Sequence, residues 1–585
     1  MVDWYDPGQL MNTAVKTIVS TMIGANADPR LGTADPRPGR YFDYSRELTA
    51  SGRDFEPIDD SKRTEMWIDY AADVGDGWNS TYSVAASLAK RELKVEVNGD
   101  VRTVQRGEIL ILGGDGVYPT ASPTEYKNRL VLPYNMAFRA NERPLLIEES
   151  ETIDLHEHPH IFALPGNHDW YDSLVAFRAL FCSHIFNHRK FADGWRTRQK
   201  RSYFALKLPS DWWFLGVDLQ LSHNIDVSQL QYFESIVDRM NVGDKVILGV
   251  PEPYWVKAIK YEGMTPVFAQ KEASIEKLEN FFERRGIHIK LYVAGDLHHY
   301  RRFENASGVQ KITAGGGGAF LHPTHDFDYR KADKKKPREF KLVEEYPTSA
   351  VSRKQDVKNL WFGLSNKWFG VVTAVIYPIL AWLIHGKIPG GGFTVKQALS
   401  ETAMRIIDTP LATLLIVLML FALIAFTDSN SRWYKWAAGF LHGCAHLAAI
   451  FMLAWFAYWV SDLIVARFDL QNRLTYANAI WFACVLIIPA IGGYFIGAAI
   501  MGFYLFVSLH WWGRHDNEAF SALKIEDFKN FLRFHIDSNG DLTIYPFKID
   551  TVPKEWTPVE DAGVIVGYKP ETEITPELIE KPISI

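Results

Sequence analysis

Cysteine is nearly absent: the 585 residues carry three, Cys182, Cys444 and Cys484. They are too scattered for a metal-finger spacing, which excludes a disulfide framework and fits a reducing compartment. Excess positive charge is lacking too, the formal net charge being -6, and with no zinc-finger or RNA-binding signature no nucleic-acid partner is expected. The opening Met1-Val2-Asp3-Trp4-Tyr5-Asp6 has neither the basic start nor the apolar core of a signal peptide. The amino-terminal part is therefore expected to stay in the cytosol. There is no repeat of fixed period and no low-complexity tract, while the length itself points to several domains.

Long apolar runs are plentiful, and they lie late in the chain. Residues 368–385, 410–426, 436–460 and 479–509 each form one, and a bilayer core needs about 20 apolar residues in a helix, with about 17 tolerated. The last run contains Pro489, Gly492 and Gly493 and reads as one kinked helix or as two tight passes. Nineteen tryptophans, many in this third, suit membrane interfaces. Residues 330–358 hold ten Lys/Arg against five acids. That stretch is either a solvated linker or a juxtamembrane segment that meets anionic lipid. Four crossings would return the carboxyl terminus to its side, which the positive-inside tendency makes cytosolic. Within the spans His442 and His446 share a helix face beside Gly439 and Gly443. Ligation, proton transfer and interhelical hydrogen bonding are all open to such a pair. Gly492, Gly493, Gly497, Ala498 and Gly502 mark a close-packing face.

The earlier part of the chain has another grammar. Residues 8–30 repeat apolar positions near 3.6 and read as a helix. Strand-like runs recur at 107–112, 159–164, 202–208, 212–218, 245–250, 288–294 and 309–314, with helical stretches at 171–185, 227–240 and 270–286. Such alternation predicts an α/β fold with mixed sheets. Three strands end in chemistry: Gly113-Gly114-Asp115-Gly116, Gly166-Asn167-His168-Asp169 and Gly295-Asp296-Leu297-His298. A fourth apolar segment, from Trp67, opens into Asp73, Gly75, Asp76 and Gly77, ahead of a helical stretch from Ser83 to Leu93. Ligands in open α/β sheets gather beyond the carboxyl ends of strands. Hard oxygen donors with imidazole suit Mn²⁺, Fe, Zn²⁺ or Mg²⁺, and two such ions about 3.5–4 Å apart clamp a phosphoester.

In order and spacing, Asp73, Gly114-Asp115, Gly166-Asn167-His168-Asp169 and Gly295-Asp296-Leu297-His298 resemble the motifs of the calcineurin-like metallophosphoesterase family, over about residues 60–325. The resemblance implies a four-layer α-β-β-α sandwich and two divalent metal ions, with manganese foremost and magnesium, iron or zinc as alternatives. Asp115 would bridge both metals, Asn167 would bind the second, and Asp73 and His298 would hold the first. His168 would be the catalytic acid that protonates the leaving oxygen or steadies the transition-state charge. Three positions depart from the family pattern. Its first-motif histidine is Gly75 here, followed by Asp76; its lone histidine gives way to Val250-Pro251-Glu252-Pro253; the first histidine of its last motif is Asp296. If Asp76, Glu252 and Asp296 coordinate, carboxylates replace imidazoles and harder ions are favoured; if they do not, the site is short of ligands and holds one metal or none.

The expected organisation is an amino-terminal helical arm (1–60), a metallophosphoesterase domain (61–329), a basic juxtamembrane linker (330–365), an all-α transmembrane domain of four or more spans (366–510) and a cytosolic tail (511–585). The tail is read as a helix around 525–535, a turn at Asp537-Ser538-Asn539-Gly540-Asp541 and a strand at 542–549. Arg514, His515 and Asp516 lie where they would reach a membrane-apposed catalytic domain. Gly315 to Gly318 either admit a phosphate or let layers pack, and His322 and His325 read as structural. The expected activity is hydrolysis of a phosphomonoester, phosphodiester or pyrophosphate, on a small molecule, nucleotide or lipid, by a metal-activated hydroxide. The rival is a catalytically silent sensor or regulatory domain on a membrane transport or scaffold module.

Overall fold

The computed structural model describes residues 1–24, 40–51, 54–141, 153–182, 194–219, 225–262, 266–335, 338–384, 395–427 and 431–585. The chain divides into two compact units: residues 1–2, 12–352 and 524–585 form the first, and residues 3–11 and 353–523 the second.

The first unit is mixed α/β, built on two eight-stranded sheets. One runs in the order Phe42–Asp43, Phe204–Lys207, Trp212–Gly216, Lys245–Val250, His288–Ala294, Gln310–Ala314, Tyr300–Glu304 and Lys341–Tyr346. The other runs Glu577–Leu578, Leu542–Ile549, Lys529–Ile536, Met66–Ala71, Ile109–Leu112, His160–Ala163 and Arg196–Thr197, with Ile583–Ser584 added on Leu542–Ile549. Strand side chains alternate between faces, and here both faces are buried. Ile109 and Ile111 join a core that also takes Phe214, Ile247, Leu291 and Ile312 from the first sheet. Leu110 and Leu112 join another with Val84 and Leu88 of the Trp78–Ala89 helix and Phe138 of the Leu132–Asn141 helix. Val246, Leu248 and Val250 face a third core with Phe233 of the Val227–Val237 helix and Leu278 of the Pro266–Glu283 helix. Strands buried on two sides read as continuous apolar runs.

Each strand-like run read between 107 and 314 forms a strand. The Pro7–Gly24 helix begins where expected, the helical turns of the 171–185 stretch begin only at Val175 after a turn at 171–174, and the rest of those two expectations, 25–30 and 183–185, lies outside the described residues. The tail differs. Its expected helix around 525–535 is the strand Lys529–Ile536, because Leu532, Phe534 and Ile536 enter the inter-sheet core while Phe531 faces the opposite side. This strand pairs antiparallel with Met66–Ala71 through Leu532–Tyr70 to Ile536–Met66. Residues 524–585 are thus part of the first unit and not a separate tail, and residues 330–352, read as linker, supply its edge strand Lys341–Tyr346. Arg533, on the tail strand, donates from Nε to Asp69 Oδ1 at 2.8 Å, both side chains being buried.

The second unit is helical. Lys367–Ile384, Arg432–Arg467 and Leu474–Trp512 are long and apolar enough to cross a membrane, and the bent pair Leu399–Asp408 and Pro410–Phe426, at 101°, would make a fourth. The last run is one helix of 39 residues; Pro489 and the π-turn Gly493–Gly497 are absorbed without a break. Its glycines mark a close approach: any side chain at Gly493 or Gly497 would collide with Thr373, whose hydroxyl donates to Gly493 O at 2.8 Å. Val375, Leu414, Val417, Phe421, Leu441, Met452, Ile487 and Phe495 point outward. Apolar side chains all round a helix suit a lipid environment.

Candidate functional site

Asp73, Asp115 and Asp296 follow the strands Met66–Ala71, Ile109–Leu112 and His288–Ala294, and all three take left-handed φ values, 57°, 46° and 68°. Such a conformation is uncommon outside glycine and tends to occur at functional sites. It turns three carboxylates from two sheets toward one place. Asp296 N–H donates to Asp73 Oδ1 and Oδ2 at 3.0 and 2.8 Å, and His168 N–H donates to Asp115 Oδ1 at 2.9 Å. Asp169 does the splicing: its carboxylate accepts from Gly166 N–H (2.8 Å), Gly116 N–H (3.1 Å) and the Tyr126 hydroxyl, tying the second motif to the third.

At the centre stands Tyr118, which the sequence reading missed. Its hydroxyl lies 3.1 Å from Asp73 Oδ1, 3.2 Å from Asp115 Oδ2 and 3.0 Å from His298 Nε2. The Nδ1 of His298 is 2.7 Å from Phe320 O, so that nitrogen carries the proton and Nε2 is an acceptor. Three acceptors therefore share one phenol proton. Burial, then the neighbouring Asp296, pushes the Asp115 carboxyl up to about 7, with Lys257 offsetting part of the rise. Burial, then Asp115 and Asp296, raises Asp73 well above the usual carboxylate range. Burial, then His322 and Lys529, keeps His298 neutral.

Two buried carboxyl groups, an imidazole nitrogen and a phenol oxygen are a donor set for one borderline-hard cation, which would displace the protons that burial favours on the carboxyls. Asp73, Asp115, Tyr118 and His298 would hold it. Among the described residues no three His, Cys, Asp or Glu side chains are already spaced as a metal cage. The phenol oxygen would complete the donor set in place of a further carboxylate or imidazole.

Of the remaining expected ligands, Asp76, Glu252 and Asp296 have other partners at their carboxylates, and Asn167 is engaged through its amide nitrogen. Asp76 accepts from Val2 N–H at 2.6 Å and Phe320 N–H at 3.3 Å. Asn167 Nδ2 donates to Tyr171 Oη at 3.0 Å. Glu252 is paired through Oε2 with Lys257 at 2.7 Å and through Oε1 with Lys271, and the same Lys257 ammonium is 2.7 Å from Asp296 Oδ2. Burial alone would raise the Glu252 carboxyl; Lys257 and Lys271 hold it below its ordinary value. His168, half-buried beside the Tyr118 ring, has Nδ1 2.7 Å from Pro119 O, which leaves Nε2 as its other working atom.

Tyr118 stands three residues after Asp115 in the loop that follows the Ile109–Leu112 strand, and Lys257 lies on the Tyr254–Lys260 helix that follows Glu252. The glycine run does not cradle phosphate. Its N–H groups at Gly315, Gly316 and Gly317 are spent on His299 O, Asn530 Oδ1 and Ala72 O, and any Cβ there would strike Asp73, Asn530 or Ala72. His322 stacks on His298 at 3.8 Å, and His325 Nδ1 meets Ser352 Oγ at 2.9 Å. In the helical unit His446 Nε2 and His442 Nε2 are 3.2 Å apart, with Tyr377 Oη 2.7 Å from His446 Nδ1, the interhelical bonding pattern.

No family model matches the chain, and no curated protein matches it. Among solved structures it is similar to GAP50, described as the anchor in the inner membrane complex of Plasmodium, with a TM-score of 0.30 and 12% identity over 44% of this chain and 74% of that one.

Proposed function

We propose that the chain is a membrane-associated, metal-dependent phosphoesterase whose reaction centre is Asp73, Asp115, Tyr118 and His298 with one divalent cation, manganese foremost, and His168 beside it. The observation that carries the reading is the gathering of Asp73 Oδ1, Asp115 Oδ2 and His298 Nε2 around one phenol oxygen at the ends of strained strands. Two sheets sharing a core, with helices packed on each outer side, support the four-layer sandwich of the metallophosphoesterases. When bound, the cation supplies Lewis acidity to a phosphoryl oxygen and to water. Asp115 positions His168 through its N–H and Pro119 O holds its Nδ1, and Nε2 would be the atom that protonates the leaving oxygen of a phosphomonoester, phosphodiester or pyrophosphate. A lipid-linked or nucleotide phosphate is the substrate class suited to a membrane-borne site.

Orientation follows from parity. The tail strand Lys529–Ile536 pairs with Met66–Ala71, so the chain leaves and returns on one side and the crossings are even in number. Four crossings, with Pro410–Phe426 as the second, satisfy this, and the basic stretch 330–358 makes that side cytosolic. The test is Mn²⁺-dependent turnover of bis(p-nitrophenyl) phosphate by purified full-length protein. Asp115→Asn and His168→Ala are expected to lose about a hundredfold or more; folded wild type without turnover overturns the reading. The silent-domain reading is favoured by one observation, the Lys257 ammonium on Glu252 and Asp296, and that outcome would establish it.

A further inference from the structure

The helix Val395–Asp408 of the second unit does not run on into the span that follows it: residues 399–408 and Pro410–Phe426 meet at 101°. The corner is written in the sequence. Pro410 disfavours a helical conformation at the residue before it, so the first helix ends at Asp408, while Pro410 itself suits the first position of the next. Thr409 N–H donates to Arg405 O at 3.0 Å and the Thr413 hydroxyl donates to Ile406 O, so carbonyls of the last turn find their partners at and beyond the corner. With about 100° between successive residues, residues 399–408 fall on three faces. On the first, Thr402 is buried and Ile406 packs on the core that holds Tyr377 and Ala412. The second, about 140° wide, carries Leu399, Ala403, Met404 and Ile407, with Ser400 among them, all exposed. Leu399, Met404 and Ile407 are 52%, 47% and 76% exposed. The third carries Glu401, Arg405 and Asp408, exposed as well.

We propose that this helix lies flat in the surface of the bilayer, with Leu399, Ala403, Met404 and Ile407 toward the acyl chains and Glu401, Arg405 and Asp408 toward water, an inference that rests on the membrane-associated reading above. Two other placements conflict with the residues. Inside the hydrocarbon, as a re-entrant segment or as part of one broken span, the helix would carry exposed Glu401, Arg405 and Asp408 into lipid, where each is costly. Lifted clear of the membrane, it would leave three large apolar side chains gathered on one face in water, an arrangement that marks an interaction surface. The next helix is clad for lipid, with Leu411, Leu414, Val417, Leu418 and Phe421 exposed. A helix near a right angle to such a span lies in the membrane plane, and there each face meets its own solvent. Val395–Asp408 holds two bases, Lys396 and Arg405, against two acids, Glu401 and Asp408. Apolar area and not headgroup charge therefore supplies the attraction, and a zwitterionic bilayer suffices. The placement also serves the short span. Pro410–Phe426 is about 26 Å long against a hydrocarbon core of about 30 Å, and a helix held at the interface fixes Pro410 at the boundary where that length must begin.

The experiment is nitroxide accessibility in the full-length protein, with the native cysteines replaced, in nanodiscs of phosphatidylcholine. Leu399→Cys, Ala403→Cys and Ile407→Cys carry the label on one face, Glu401→Cys, Arg405→Cys and Asp408→Cys on the other, and Leu418→Cys carries it in the span. Each is read against dissolved oxygen and against a water-soluble nickel chelate. The oxygen-to-nickel ratio is expected to be severalfold higher on the first face than on the second, and highest at Leu418→Cys. Nickel access on both faces, with Leu418→Cys closed to it, would overturn the inference and leave the membrane reading standing. Both faces closed to nickel would overturn it in favour of a re-entrant helix. Nickel access at Leu418→Cys as well would overturn the membrane reading itself. On the unlabelled chain, photolabelling from a diazirine near the glycerol end of the acyl chain is expected to mark Leu399, Met404 and Ile407. Marks on none of them would overturn the inference even should the labelled variants fail to fold.

Discussion

Tyr118 and His160 show how one side chain carries a testable consequence. Tyr118→Phe removes the only proton that Asp73, Asp115 and His298 share through the hydroxyl. The cost of a buried acceptor left without a donor is about 1–3 kcal/mol, so the metal-free variant should melt lower, with Mn²⁺ recovering part of the loss, as read by thermal unfolding with and without the ion. His160 is buried at the start of the His160–Ala163 strand, its Nδ1 2.7 Å from Tyr44 Oη. Burial, then Arg198 and Arg196, lowers its pKa well below the ordinary value. The unfolded chain takes up a proton near about 6.5 where the folded one does not, so this contribution is complete above that pH and is lost as pH falls below it, by at most about 1.4 kcal/mol per unit. Comparing unfolding of wild type and His160→Gln between pH 7.5 and 5.5 should show a shallower decline in the variant.

At the scale of elements, the tail strand is the part whose role changed most between sequence and structure. Lys529–Ile536 lies against the strand that leads to Asp73, and Arg533 reaches the buried Asp69 of that strand. Arg533→Met leaves that carboxylate unpaired and should cost about 3–5 kcal/mol. Truncation after residue 523 should leave the first unit unable to fold, read as loss of soluble, protease-resistant protein on expression of the remaining chain. The strands bearing Asp115, Asn167 and Asp296 were legible because each is an apolar run ending in glycine and an acid or amide. The tail was not, because Phe531, Leu532, Phe534 and Ile536 serve two cores on opposite sheet faces, which blurs the period of two. Lys341–Tyr346 hid for another reason: in this edge strand Val343 is exposed while Glu345 is buried, accepting from the Ser349 N–H and hydroxyl. Asp76 and Glu252 were read as ligands because each is an acid standing where the family pattern has a histidine. Their partners, Val2 N–H and two lysines from neighbouring helices, arrive from positions that local sequence does not show.

For the whole molecule, the proposed even number of crossings has consequences for helix length and for labelling. The 36- and 39-residue helices are about 54 and 58 Å long at 1.5 Å per residue, well beyond a bilayer core of about 30 Å. Pro410–Phe426, 17 residues, is about 26 Å and barely sufficient. With the native cysteines replaced, Asp469→Cys should react with an impermeant maleimide in intact cells and Arg514→Cys only after permeabilisation. Reaction of both from outside would break the even count. The central claim, one cation at Asp73, Asp115, Tyr118 and His298, is tested most directly by anomalous diffraction at the manganese edge from crystals of the full chain equilibrated with Mn²⁺. The account predicts a single peak bounded by Asp73, Asp115, Tyr118 and His298, with Lys257 still on Glu252 and Asp296. Two peaks with Lys257 displaced, or no peak with the Tyr118 hydroxyl still alone among its three acceptors, would contradict it.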